Sequence, residues 1–163
     1  DQNGSLALNI CPVIVADVVS EAKALIGAQA LEQGVAIDEK PINLKFKILG
    51  DRRRVKQILV NLLSNAVKYT GSGGDAGIDV SENAGFVFIT IWDTGPGIEH
   101  EKQSQIFERF ERAGEGGYSG TQKGIGLGLH ISKALAWQMG GDITLKSALG
   151  VGSRFTLKLP SAG

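Results

Sequence analysis

Apolar and polar positions divide the chain into segments of recognisable period. Val15, Val18, Val19, Ala22, Leu25 and Ile26 recur at helical spacing, so a helix is expected from Pro12 to about Gln33, ended by Gly34. A second helical pattern fills "DRRRVKQILVNLLSNAVKYT" (51–70), with Asp51 as its expected N-cap. Strand patterns appear in "SLALNI" (5–10), "VAID" (35–38) and "NLKFKIL" (43–49), the last with Leu44, Phe46 and Ile48 on one face. "GIDVSEN" and "GFVFITIWD" read as a hairpin closed near Asn83-Ala84-Gly85. "GDITLKS" and "SRFTLKLP" read as another around "ALGVG". Between the hairpins lie a thirty-residue connection (94–123), with one short helix around 102–110, and a helix from about Gly126 to Met139. This order predicts an α/β (α+β) two-layer sandwich: a mixed, largely antiparallel sheet covered on one face by about three helices. So long a connection inside one domain is expected to be a functional lid, here about 95–123.

Composition narrows the picture. The 163 residues suffice for a single domain, 1–163, with a core over about 5–160. Lys plus Arg and Asp plus Glu number 17 each, so no global field draws nucleic acid, and any phosphate binding must be local. No apolar run approaches a membrane span. The single cysteine, Cys11, excludes an internal disulfide and fits a reducing compartment. The chain starts at Asp1 and ends in "PSAG", as expected of a piece of a longer protein. Its 23 glycines cluster mainly between 71 and 128, as where backbone approaches another group closely.

Three features carry candidate chemistry. The helix over 51–70 has an apolar back of Val55, Leu59, Leu62, Leu63 and Ala66. Its front is a polar stripe: with Asn61 at 0°, Asn65 falls near +40°, Lys68 near −20°, Arg54 near +20° and Gln57 near −40°. Such a stripe is either a solvated face or a face turned to a ligand. Asparagine costs roughly 0.5–0.7 kcal/mol against alanine in a helix, which makes it a poor choice for mere solvation. Its neutral amide oxygen is a hard ligand suited to Mg²⁺, and Lys68 on the same stripe could meet an anion.

The second feature is "DTGPGI" (93–98). Asp93 leaves the strongest strand at its end, where a carboxylate can accept from an exocyclic amine; Gly95 and Gly97 let a flat ring approach, and Ile98 follows. The same residues also suit an ordinary strand-ending turn. The third is "KGIGLGLHISK" (123–133), which puts Gly124, Gly126 and Gly128 at an expected helix start, where free N–H groups favour phosphate. It follows no strand, and there is no GxxxxGK[ST], so neither the Rossmann fingerprint nor the P-loop applies. Lys123, Arg109 and Arg112 could add positive charge there or simply lie in solvent. In "IFERF", Ile106, Phe107 and Phe110 share one side.

Taken together and in this order, "NLLSNAVKYT", "DTGPGI", "IFERFER", "GIGLGL" and "GVGSRFTLKLP" resemble the N, G1, F and G2 boxes and closing strand of the catalytic ATP-binding domain of sensor histidine kinases. The resemblance implies the Bergerat ATP-binding fold and binding of Mg²⁺ and ATP. It implies Asn65 as the Mg²⁺ ligand and Asn61 as its companion, with Lys68 and Tyr69 beside the phosphates and nucleotide. It implies Asp93 as the adenine-reading carboxylate in a pocket shaped by Gly95, Gly97 and Ile98. Phe110, Lys123, Gly124, Ile125, Gly126, Leu127, Gly128 and Leu129 become nucleotide-contacting residues of the lid and glycine loop. Ser153 or Thr156 supplies a hydroxyl behind the adenine, and the resemblance does not choose between them.

ATP-hydrolysing relatives place a glutamate at the Asn61 position as the base for water, which asparagine cannot replace. The expected reaction is slow hydrolysis with transfer to a nucleophile from outside. The chain holds only His100 and His130, neither in the family's phosphoacceptor context. The implied partners are therefore a histidine phosphoacceptor/dimerisation domain of the same parent and a downstream response regulator, with the fragment itself monomeric. The implied location is cytoplasmic. Two alternatives stand beside this reading: a degenerate, nucleotide-gated interaction module, and an anti-sigma-type serine kinase on the same fold.

Overall fold

The computed structural model describes residues 7–108 and 120–163, and for 120–127 the backbone alone. A strand β1 (Cys11–Ile14) leads into helix α1 (Val15–Gln33), then β2 (Ala36–Ile37), β3 (Lys47–Gly50) and helix α2 (Arg52–Thr70). The hairpin β4 (Asp75–Asn83) and β5 (Phe86–Asp93) follows, then a short helix α3 (His100–Gln103) and a 3₁₀ turn at Gln105–Phe107. Helix α4 (Gly120–Gln138) precedes the closing hairpin, β6 (Asp142–Ala148) and β7 (Gly152–Pro160).

The main sheet runs β2-β4-β5-β7-β6; β2 is parallel to β4 and the other pairs are antiparallel. This is the mixed, largely antiparallel sheet expected, with β1 and β3 forming a separate two-stranded sheet. Along β5 burial alternates: Val87, Ile89, Ile91 and Asp93 are buried, while Phe86, Phe88, Thr90 and Trp92 are only half-buried on the other face. Ser153, Phe155, Leu157 and Leu159 continue the buried face on β7. Against it pack α2, through Val55, Leu59, Leu62, Leu63 and Ala66, and α4, through Leu129, Leu135 and Ala136, in one core. Burying a Leu or Ile contributes about 1.5–3 kcal/mol, so this two-layer core is what fixes the position of α2 over the sheet.

Several boundaries differ from the expectation. Of the strand expected over 5–10, residues 5 and 6 lie outside the described ones and 7–10 are not strand; β1 lies at 11–14, and Pro12 sits in it rather than opening the helix. Proline is tolerated in an edge strand, and among the described residues β1 pairs only with β3. The strand expected over 43–49 shortens to Lys47–Gly50 because Asn43 makes a turn: its Oδ1 accepts from Lys45 N at 2.8 Å, and its carbonyl from Phe46 N. The helix expected around 102–110 is a single turn followed by the 3₁₀ turn, and residues 109–119 lie outside the described ones. Finally, α4 starts at Gly120, six residues before Gly126.

Candidate functional site

Helix α2 is the spine of the site. Asp51 caps it as expected, its Oδ1 accepting from Arg54 N at 3.2 Å and its Oδ2 from Asn9 N at 3.0 Å. The Asn9 N–H bond is the main reason its carboxyl is held below the usual aspartate value. One turn apart on the front face lie Asn61 and Asn65. Asn61 Nδ2 donates to Ser132 Oγ on α4 at 3.2 Å, and the side chain also lies against Gly128, where a Cβ would overlap its amide.

Asn65 is 2% exposed, and its Nδ2 has no hydrogen-bond partner among the described residues. A buried amide left unpaired costs about 1–3 kcal/mol. That cost marks a place for a polar partner that the described residues do not supply. The amide suits an anionic oxygen through its N–H or, turned about χ2, a hard cation such as Mg²⁺ through its oxygen. Lys68, exposed one turn further on, has no ion pair among the described residues.

Asp93 closes the other end. It is buried on the helix-facing side of β5, directly opposite Ser153 of β7. Burial pushes its carboxyl above the usual aspartate value, and the N–H groups of Gly95 and Ser153 only partly offset this. Gly95 N donates to Asp93 Oδ1 at 2.8 Å. A Cβ on Gly95 would lie 2.8 Å from Tyr69 O and 3.0 Å from Asp93 Oδ1. Glycine is thus what lets the end of α2 and the carboxylate approach each other. Gly97, at φ +81°, is pressed against the carbonyl of Ala148, and Gly152, at φ +132°, against that of Asp93. Neither has room for a side chain. Ile98 N donates to Ser147 Oγ at 2.8 Å, and Gln103 Nε2 holds both Ile98 O and Ser147 O, at 2.8 and 3.1 Å.

The structure therefore sets Asp93, Gly95 and Gly128 against the stretch of α2 that carries Asn61, Asn65 and Tyr69. Asn61 touches α4, and the Tyr69 end touches Asp93 by way of Gly95. Eight residues of helix separate the two contacts, about 12 Å.

Three expectations need correction. Thr156 pairs with Thr90, three positions from Asp93, so it faces the opposite side of the sheet, its Oγ1 2.8 Å from that of Thr90. Of the two candidate hydroxyls, Ser153 is on the Asp93 side. Leu129 is fully buried and belongs to the core. The glycine cluster is not at a helix start: Gly124, Gly126 and Gly128 lie inside α4, where backbone N–H groups are taken up by the helix itself. The apolar Ile125, Leu127 and Leu129 alternate with these glycines, and the helical ladder runs through them. Arg109, Phe110 and Arg112 lie outside the described residues, as do the side chains of Lys123, Ile125 and Leu127.

Residues 50–163 match the family described as histidine kinase-, DNA gyrase B- and HSP90-like ATPases. The chain belongs to this ATPase family. Within it, the likeness is to sensor histidine kinases. An uncharacterised sensor-like histidine kinase of Rhizobium meliloti is 33% identical over 97% of this chain, which spans 30% of that protein. Sensor protein SrrB of Staphylococcus aureus is 35% identical over 87% of the chain, which spans 25% of it. Among solved structures, the nucleotide-free catalytic domain of histidine kinase ThkA superposes with a TM-score of 0.78 at 25% identity, covering 94% of this chain and 96% of that one. Full-length ShkA in complex with AMPPNP gives 0.79 at 32% identity, covering 98% and 32%. The chain is thus a catalytic domain of the histidine kinase type, spanning about a third or less of the curated relatives it matches. Among its described residues, no helix is long and apolar enough to cross a membrane.

Residues with no signal in the sequence also shape this candidate site. Ser132, Ser147 and Gln103 form its hydrogen-bonded frame. Single serines and a glutamine on amphipathic elements carry no periodic signal. Only the placement of neighbouring elements reveals them.

Proposed function

We propose that this domain binds ATP with Mg²⁺ and donates the γ-phosphate to a histidine on a separate phosphoacceptor/dimerisation domain of its parent, from which a response regulator is then charged. The observation that carries the reading is the buried amide of Asn65, whose Nδ2 has no partner among the described residues, midway along α2 between Asp93 and the Gly128 contact. In this reading Asp93 and Ser153 hold the base, Tyr69 and Lys68 flank the nucleotide, and Asn61 and Asn65 face the phosphates. Mg²⁺, held by Asn65, supplies charge neutralisation at the phosphates. Asn61 has no basic group with which to activate water and is already tied to Ser132. Its amide therefore orients rather than deprotonates, which suits transfer to an external nucleophile over hydrolysis. The site is read as working in the cytosol, where the nucleotide is.

Nucleotide titration with and without Mg²⁺ tests the pocket, and adding the parent's acceptor hairpin tests transfer. Asn65→Ala is expected to lower Mg²⁺-ATP-dependent transfer by about a hundredfold or more while the circular dichroism spectrum stays native. Transfer at the unmutated rate would refute the role. An acid-labile product marks phosphohistidine; an acid-stable one would point to a serine acceptor.

A further inference from the structure

One register row crosses the sheet from Ala76 on β4 to Asp93, Ser153 and Ser147. The last three put oxygen atoms side by side on the helix-facing side. Ser153 is 5% exposed, so where its one proton goes decides what it offers to the pocket.

The proton positions follow from counting. Ser147 Oγ lies 2.8 Å from Gly152 O, 2.8 Å from Ile98 N and 2.9 Å from Ser153 Oγ. A carbonyl only accepts, so Gly152 takes the single proton of Ser147. A backbone N–H only donates, so Ile98 occupies one of Ser147's lone pairs. The contact between the two hydroxyls must then be closed by the proton of Ser153. Ser153 has no other hydrogen bond from its Oγ among the described residues, so what it has left to offer is a lone pair. Beside it stands Asp93, which when ionised also only accepts. The floor of the pocket therefore presents acceptors from two adjacent strands and no hydroxyl donor. Such a floor receives an amine and disfavours a carbonyl.

We propose that Ser147 is a positioning residue that sets base specificity: by drawing the Ser153 proton away from the pocket, it makes the site select a 6-aminopurine nucleotide over a 6-oxopurine one. Ser147 touches no nucleotide in this account and acts through Ser153. The inference rests on the ATP-site reading above and adds the origin of its selectivity.

The experiment measures ATP and GTP affinities side by side on the full chain. In Ser147→Ala the Ser153 hydroxyl loses its acceptor and can turn to donate to a 6-oxo group. The ATP-to-GTP affinity ratio is expected to fall about tenfold. Ser147→Thr keeps a hydroxyl in a strand that accepts β-branched residues, and it restores the ratio. In a Ser153→Ala background, Ser147→Ala should leave the ratio unchanged, since its intermediary is gone. Gln103→Leu, which loosens the same loop without touching either hydroxyl, should weaken both nucleotides alike. Should Ser147→Ala fail to fold, Ser147→Cys, with its weak sulfur acceptor, carries the same expectation. An unchanged ratio in Ser147→Ala, or equal losses of ATP and GTP, overturns the proposal. If the wild type selects ATP and the ratio does not move, this inference alone falls. If the wild type binds neither nucleotide, the ATP-site reading falls first and takes this inference with it.

Discussion

The two ends of α2 meet their neighbours in different ways. At the Tyr69 end, Asp93 is placed by the β5–β7 register, and the backbone around it is packed so tightly that Gly95, Gly97 and Gly152 have no room for a Cβ. At the Asn61 end, the neighbour is α4, a helix whose first nine residues include Gly120, Gly124, Gly126 and Gly128. A glycine inside a helix costs roughly 1 kcal/mol against alanine. The glycines at the sheet end follow from tight packing, whereas those of α4 weaken the element that bears them. One side of the site is set by close packing, and the other is a helix whose glycines lower its intrinsic stability.

Substitutions can break or sharpen that contrast. The largest effect is expected at Gly152. An alanine there must hold φ +132° and overlap the Asp93 carbonyl, so Gly152→Ala should cost about 2–5 kcal/mol in urea unfolding. A loss below about 1 kcal/mol would show the sheet end to be softer than its packing implies.

Asp93→Asn comes next. It should weaken ATP by about 10- to 100-fold and weaken pyrophosphate-like competitors less; equal losses would count against a base-reading carboxylate. The same residue predicts a pH limb. Because burial raises its carboxyl above 3.8, ATP affinity should begin to fall on acidification at a higher pH than for an ordinary aspartate, and Asp93→Asn should lack this limb.

The signs for stability are opposite at Asp93 and Asp51. Between 3.8 and its raised folded value, Asp93 keeps a proton that the unfolded chain releases, so its contribution declines as pH rises through that window. Asp51, held low by the Asn9 and Arg54 N–H groups, stabilises above 3.8, and that contribution is lost as pH falls through its lowered value.

A smaller pair of effects compares glycines within α4. Gly124→Ala should stabilise by up to about 1 kcal/mol. Gly128→Ala should destabilise by about 1 kcal/mol, because its Cβ displaces the Asn61 amide from Ser132. Matching signs in thermal melts would remove the distinction between them. Last, Thr156→Val should leave nucleotide affinity within about twofold, since its hydroxyl faces Thr90 on the far side of the sheet.

The sequence made much of this legible, and the reasons are particular. The apolar back of α2 and the alternation of β5 are long and strongly periodic, so both elements and the Asp51 cap were readable. Residues 43–46 were not, because the Asn43 turn outweighs three alternating apolar positions. The choice between Ser153 and Thr156 was within reach: Phe155, Leu157 and Leu159 alternate inward, which puts Ser153 with them and Thr156 outside. The start of α4 was hidden because glycines read as loop whether or not the helical ladder continues through them. Ser147 and Ser132 became visible only once strand register and helix packing had brought them beside Ser153 and Asn61.

Because a single helix carries both contacts, α2 works as a ruler with a fixed phase. Replacing side chains along it can tune the site, but adding or removing one residue between Asn61 and Tyr69 would turn one end about 100° from the other and lengthen or shorten the gap by about 1.5 Å. A change of chemistry at one mark therefore acts at that mark alone, whereas a change in the number of marks separates the two ends.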